Sequence, residues 1–177
     1  MFGLTDIFLC DKAFMSILLS SVEVYKNECH GALLGYRTKN RIVVEFAIPF
    51  QSAERKPSEV VPNWRRELKV IEVLPKLVQL QKLGYFHSHP QWGKTHGSSK
   101  LSDPDKKWIG EGDLEIVVAI NDAERSVSWR QSKNQLSGTI GKYHITIAGY
   151  YKRKRDNRIM QYRILCPYAI GFDYTFV

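Results

Sequence analysis

Cysteine is scarce in this chain: Cys10, Cys29 and Cys166 are its whole complement in 177 residues. They are odd in number, far apart and never spaced Cys-x-x-Cys, which argues against a disulfide framework and against a cysteine-built zinc site. Long apolar runs are missing as well. No stretch approaches the roughly 20 residues that a membrane helix needs, so no membrane span is expected. The opening Met1-Phe2-Gly3-Leu4-Thr5-Asp6 has neither the basic start nor the small-residue cleavage site of a secretory leader. Repeats, low-complexity tracts and Ser/Gly-rich linkers are absent too, so a single domain over residues 1–177 is expected. These absences predict a cytoplasmic globular protein.

Acidic residues are outnumbered. Lysine plus arginine total 26 against 18 aspartates and glutamates, a net charge of +8. That excess favours acidic partners of any kind: nucleic acid, an anionic membrane surface or an acidic protein. Lys152, Arg153, Lys154, Arg155 and Arg158 cluster around Asp156 and read as a solvated hairpin tip. The alternation of basic and aromatic residues that marks a base-stacking surface is not evident there, so nucleic acid is not the expected partner.

Apolar periodicity predicts a helix from about Lys12 to Tyr25, carrying Phe14, Ile17, Leu18, Ser21, Val22 and Tyr25, with Asp11 as N-cap. Strands follow over 32–36 and 41–48, joined as a hairpin at Thr38-Lys39-Asn40, and then a polar stretch over 51–58. Pro62 suits the first turn of a second helix, which Pro75 should kink or split and Gly84 should end. Tyr85 to His89 reads as a short strand and 91–100 as a mobile loop. A short helix over 103–109 precedes strands at 114–120, 126–130, 143–151 and 159–165. Helices early and strands late suggest an α/β or α+β domain around one sheet.

The residues that carry chemistry are His87-Ser88-His89-Pro90 and Ser102-Asp103-Pro104-Asp105. Side chains two apart on a strand share a face, so His87 and His89 can meet one ligand while Ser88 points away. Two imidazoles suit zinc, a carboxylate can be the third ligand, and a fourth position then remains for water. Asp105, three residues after Ser102, falls in the first turn of a helix that Ser102 can cap. An isolated His-x-His equally describes two hydrogen-bonded structural histidines, and Ser-x-x-Asp an ordinary helix start. Asp103 could replace Asp105 if the helix began earlier. His30, His96 and His144 read as surface, capping or strand residues, Cys29 as core packing, and Glu23 as a solvated helix residue. Trp92 and Trp108 flank the motif loop, where either can line a groove or simply pack.

Taken in order, these pieces resemble the JAMM metalloproteases, the catalytically competent branch of the MPN domain family. Glu28-Cys29-His30-Gly31-Ala32-Leu33-Leu34-Gly35 is similar to the family's opening glutamate and Gly-x-x-x-Gly strand. Gly84 to Pro90 is similar to its metal-binding strand, and Leu101 to Asp105 to its Ser-x-x-Asp. The likeness runs from about 27 to 121. One departure is length: Pro90 to Leu101 is a longer stretch between the second histidine and the serine than the family has. A surface loop absorbs such an insertion at little entropic cost, so the departure bears on substrate fit.

The resemblance implies an α/β, MPN/JAMM-type (cytidine-deaminase-like) three-layer arrangement, a central mixed β-sheet flanked by helices. It implies one Zn²⁺ per chain, held by His87, His89 and Asp105. Glu28 would be the general base for the attacking water, and Ser102 would help to stabilise the oxyanion. The implied substrate is a ubiquitin, ubiquitin-like or sulfur-carrier protein, cut after its C-terminal Gly-Gly; an acidic carrier would suit the basic surface. The compact chain suits a prokaryotic member. A catalytically silent MPN scaffold and a basic nucleic-acid-binding protein are the alternatives. A zinc nucleoside deaminase would need Pro-Cys-x-x-Cys ligands that the chain lacks.

Overall fold

The chain runs through β1 (Asp6–Leu9), α1 (Asp11–Glu23), β2 (His30–Arg37), β3 (Arg41–Pro49), β4 (Glu54–Lys56) and β5 (Glu59–Val61). It continues with α2 (Trp64–Val78), β6 (Gln81–Pro90), α3 (Asp103–Trp108), β7 (Leu114–Asp122), β8 (Arg130–Ser132) and β9 (Gln135–Ile140). β10 (Tyr143–Lys152), β11 (Ile159–Leu165) and α4 (Pro167–Gly171) complete it. The structure is a computed structural model that describes residues 6–51, 54–56 and 59–171. The opening residues 1–5 and parts of the polar 51–58 stretch lie outside those described.

Nine strands form one mixed sheet in the order β11-β1-β3-β2-β6-β7-β10-β9-β8, while β4 and β5 pair separately. The expected mixed sheet is therefore present, but it is not the open middle of three layers. It curls until β10 meets β11 and closes a ring. The closure depends on β10 changing neighbours along its length. Tyr143 to Ala148 pair with β9, and Gly149 to Lys152 pair with β11. Gly149 stands at that change, where a Cβ would press on the tip of the Ile7 side chain of β1, so glycine eases the tight packing at this junction.

The main core fills the inside of the curl. Phe14, Ile17 and Leu18 of α1 pack with Ile7, Leu9, Val44, Ile116, Val118 and Ile164. Phe14 meets Trp129 edge to face at 5.0 Å. Aromatic pairs of that geometry add about 0.5–1.5 kcal/mol beyond area burial. A smaller cluster of Leu101, Ile109, Val117, Ala148 and Tyr150 lies on the other face of β7.

Several expectations shift. Cys10, not Asp11, holds the N-cap position of α1 and caps with no side-chain bond; Asp11 sits in the first turn, where its charge suits the helix dipole. α2 starts after Asn63, whose Oδ1 accepts the Arg66 N–H at 3.3 Å, and it runs unbroken through position 75. It ends with Gln79 in the left-handed region at φ 53°, while Gly84 belongs to β6. The strand expected at 126–130 is displaced into the β8–β9 hairpin. The basic 152–158 run is indeed the β10–β11 hairpin tip.

For the site, the decisive pairing is β6 with β7, which run parallel, with His87 opposite Val117 and His89 opposite Ala119. Parallel neighbours need a crossover, and here it comprises residues 91–113 with α3 in the middle. The crossover starts where the histidines end, so it must pass over them.

Candidate metal centre

Alternation along the strands sorts two faces. Phe86 and Ser88 of β6 and Ile116 and Val118 of β7 are buried, whereas Tyr85, His87, His89 and Glu115 line an outer cleft. Glu28, two residues before β2, and His30, its first residue, join them, with Val61, Pro62 and Trp64 and with Ser102, Pro104, Asp105 and Trp108. The cleft holds about 560 Å³. Ser88, facing away as its spacing predicts, ties β6 to the segment beside Glu28: its Oγ accepts the Cys29 N–H at 2.9 Å.

Both histidines are held from behind. Nδ1 of His87 lies 2.6 Å from the buried Glu115 carboxylate, and Nδ1 of His89 lies 2.7 Å from the Ser98 carbonyl. Neither acceptor can donate, so each Nδ1 carries its hydrogen and each Nε2 faces the cleft. The two Nε2 atoms are 3.1 Å apart, and Asp105 Oδ2 is 3.5 Å from each.

Asp105 is aimed by its helix end. Ser102 caps α3 in a reciprocal box: the Asp105 N–H donates to Ser102 Oγ at 3.2 Å, and the Ser102 N–H donates to Asp105 Oδ2 at 2.6 Å. The capping geometry that defines the helix start therefore also fixes the carboxylate. Asp103 is turned to solvent and pairs with Lys106 at 2.7 Å. Asp105, rather than Asp103, joins the histidines.

Three electron-rich atoms converging this closely call for positive charge. Burial by itself would push the His87 imidazole down, but the hydrogen bonds and charges of Asp105 and Glu115 outweigh it and lift its pKa to about 10. Burial would raise Asp105, yet His87, His89 and Ser102 hold its carboxyl far below the usual carboxylate range. A tetrahedron built on bonds of about 2.05 Å has edges of about 3.4 Å. The three observed edges of 3.1, 3.5 and 3.5 Å match it. His87, His89 and Asp105 are the cluster among the described residues whose ligand atoms all lie within 4.8 Å of one another.

The long 91–101 segment is pinned rather than mobile. Trp92 and Thr95 exchange backbone hydrogen bonds at 2.9 and 2.8 Å, and Asn121 grips Gly97 through both its N–H and its carbonyl. Ser99 is held by Tyr150 and Gln135. At Gly97 a Cβ would run into the His89 carbonyl, so the close approach that brings Ser98 to His89 needs glycine. Trp92 lies on this loop away from the cleft, whereas Trp108 lines it, 6.0 Å from Trp64. Glu23 closes α1 and Cys29 packs in the core. His30 is neither a surface nor a capping residue: it is buried in the cleft wall.

Sequence reasoning did not find Glu115, Ser98 or Asn121. Glu115 left a trace, a lone carboxylate inside the apolar run 114–120. Ser98 contributes only its backbone, which residue type does not reveal. Among the described residues, no helix is long and apolar enough to cross a membrane.

Residues 4–103 match the family model described as JAB1/Mov34/MPN/PAD-1 ubiquitin protease. That span includes Glu28, His87, His89 and Ser102 and stops just short of Asp105, which the geometry supplies. No curated protein matches the chain. Among solved structures, the solution structure of protein DSY2949 from Desulfitobacterium hafniense is similar in fold, with a TM-score of 0.63 at 18% identity over 90% of this chain and 92% of that one.

Proposed function

This chain belongs to the JAB1/Mov34/MPN/PAD-1 ubiquitin protease family, and on that premise we propose that it is a zinc-dependent peptidase or isopeptidase. The bond cut is the one after the C-terminal Gly-Gly of a ubiquitin-like or sulfur-carrier protein. The observation that carries this reading is the convergence of His87 Nε2, His89 Nε2 and Asp105 Oδ2 at the edges of a zinc tetrahedron. Three protein ligands leave a position open, as catalytic zinc sites do and closed structural ones do not. A metal-free scaffold has no need of such a set, nor of a buried carboxylate behind His87.

When bound there, zinc supplies a Lewis acid for water and for the scissile carbonyl. The chain's own groups do the rest. Glu28, in the cleft wall, takes the proton of the attacking water and returns it to the leaving amine. The Ser102 hydroxyl accepts the Asp105 N–H, so its own hydrogen is free to turn to the carbonyl oxygen as charge builds on it. Glu115 and Ser98 hold the imidazoles so that no reorientation is needed during the reaction. A Gly-Gly segment suits the site because only glycine lets a substrate backbone lie this close to the walls.

The test is hydrolysis of a panel of Gly-Gly-linked fusions and isopeptide conjugates of ubiquitin-like and sulfur-carrier proteins. Cleavage after Gly-Gly that is lost to a chelator and restored by zinc is the expected result. A zinc-loaded chain that cuts none of them overturns the reading.

A further inference from the structure

Helix α2 is amphipathic in sequence, yet among its described side chains the apolar ones are not what it buries. Leu68 and Val73 are 53% and 52% exposed, Val70 and Trp64 are exposed as well, and Ile71 and Leu74 are only half-buried. Over Trp64 to Leu74, one side chain is buried, and it is a carboxylate: Glu67, at 0% exposure. Glutamate is almost never fully buried unless it is paired, so a partner for Glu67 acts on this helix beside the ring contacts of Trp64 with His30, Tyr85 and Trp108.

Glu67 spends one oxygen locally. Its Oε1 accepts the Asn63 N–H at 3.1 Å at the entry to α2, a bond that a solvent-exposed carboxylate would make equally well. The other oxygen explains the burial. Oε2 lies 3.5 Å from Nε2 of His30, and neither buried atom has a hydrogen-bond partner within normal geometry. A buried carboxylate oxygen and an imidazole nitrogen facing each other with no other partner can satisfy one another and nothing else. His30 is itself clamped by a stacked Tyr85 ring at 5.3 Å, a Phe50 ring at 5.5 Å and the Trp64 ring at 6.5 Å. It stands on β2 opposite His87 of β6, so it is rigid with respect to the metal centre, while α2 is not part of the sheet.

We infer that His30 and Glu67 form a latch that holds α2, and through it the Trp64 wall, over the substrate cleft. Glu67 is on this account a positioning residue for substrate binding. Trp64 also meets Trp108 of α3 as a tilted ring pair with centroids 6.0 Å apart, and both line the cleft, so the position of this aromatic pair shapes the wall that a substrate tail must lie against. The latch holds this wall from the α2 side, and the Ser102–Asp105 cap anchors the start of α3 on the other. The kinetic part rests on the hydrolytic reading above; the latch does not.

The zinc-loaded full chain tests it through Glu67→Ala, Glu67→Gln, His30→Ala and the double Glu67→Ala/His30→Ala variant. The first readout is backbone amide exchange over residues 63–78, which needs no activity. Loss of either partner should raise exchange there by about tenfold or more while the sheet and zinc content stay as in the wild type. The double variant should be no looser than the worse single one, because two groups acting as one unit are not additive. The second readout is the split between KM and kcat on whichever Gly-Gly conjugate the wild type cleaves. KM should rise about tenfold with kcat within about threefold, the pattern of lost binding that is shared by ground and transition states. If Glu67→Ala does not fold, Glu67→Gln keeps the volume and carries the same readings, reduced in size. Unchanged exchange over 63–78, or single-variant effects that simply add, overturns the latch. A wild type without hydrolysis, but with coupled exchange effects, overturns the peptidase reading and leaves the latch standing.

Discussion

Nδ1 of His87 and the carboxylate of Glu115 meet at 2.6 Å, both buried, on the parallel strands β6 and β7. This bond decides which nitrogen of His87 faces Asp105, and it places a carboxylate behind the imidazole that would hold the metal. Partners of this kind raise ligand basicity and fix orientation. Glu115→Ala is expected to keep the fold and weaken zinc binding about 10- to 100-fold. Competition with a chromophoric chelator measures it. An unchanged affinity would mean that His87 is oriented by its packing alone.

Glu28→Gln should retain about one zinc per chain and lose hydrolysis by about 10²-fold or more, because the amide keeps the shape but cannot take a proton. Metal analysis and initial rates on the same preparation give both halves of the test. Wild-type turnover in this variant would place the base elsewhere in the cleft.

Asn121→Ala removes both bonds that hold Gly97. The 91–101 segment should then open to limited proteolysis, and zinc affinity should fall by about tenfold as Ser98 loses its fixed position behind His89. The ordered loop of the wild type should resist the same protease. Equal cleavage rates would show that the pinning contacts do not govern this loop.

The hairpin tip divides into charges held by hydrogen bonds and charges held loosely or turned to solvent, Arg155 reaching Asp156 only at 4.0 Å. Lys152 donates to the Ile109 carbonyl at 3.0 Å, and Arg153 grips Asp156 through Nε and Nη2 at 3.1 and 2.6 Å. If the substrate is an acidic carrier, its steering would fall mainly to Lys154, Arg155 and Arg158. With screening over about 8 Å at physiological ionic strength, kcat/KM should fall with added salt while kcat changes little. Lys154→Ala/Arg155→Ala/Arg158→Ala should flatten that dependence, whereas Lys152→Ala should act on stability. An unaltered salt slope in the triple variant would confine the cluster to a solvated turn.

Cys10 and Cys166 are pushed from an ordinary value of 9.0 up to about 11, chiefly by burial in both, with the Glu45 carboxylate adding to the effect at Cys10. The folded chain thus keeps these protons when an unfolded chain would lose them. The associated stability is full below about pH 9 and is lost as pH rises towards 11. Alkylation by iodoacetamide at pH 8, followed by mass spectrometry, should be much slower at both sites in the folded protein than in denaturant. Rapid labelling of folded Cys10 would contradict this.

Most of the strands and the grouping of His87, His89 and Asp105 were legible because each rests on local rules. Alternation puts His87 and His89 on one face whatever surrounds them, and Ser102 and Asp105 make their capping box within one helical turn. The strands at 32–36, 114–120, 143–151 and 159–165 announced themselves by apolar runs that structure extends only at the ends. The strand expected at 126–130 failed for the opposite reason. Its pairing is set by the later hairpin, so the register moved to 130–132 and 135–140.

What only the tertiary structure decided are the relations between segments far apart in the chain. The closing of the sheet depends on β10 sharing one edge between β9 and β11, with Gly149 admitting Ile7. The partners behind the histidines come from β7 and from a backbone carbonyl in the crossover loop, and the burial of Glu67 against His30 joins residues 37 positions apart. Periodicity describes a residue's own element. It carries no record of which distant group will be 3 Å away, because that is fixed by how the elements pack once the apolar faces have been buried.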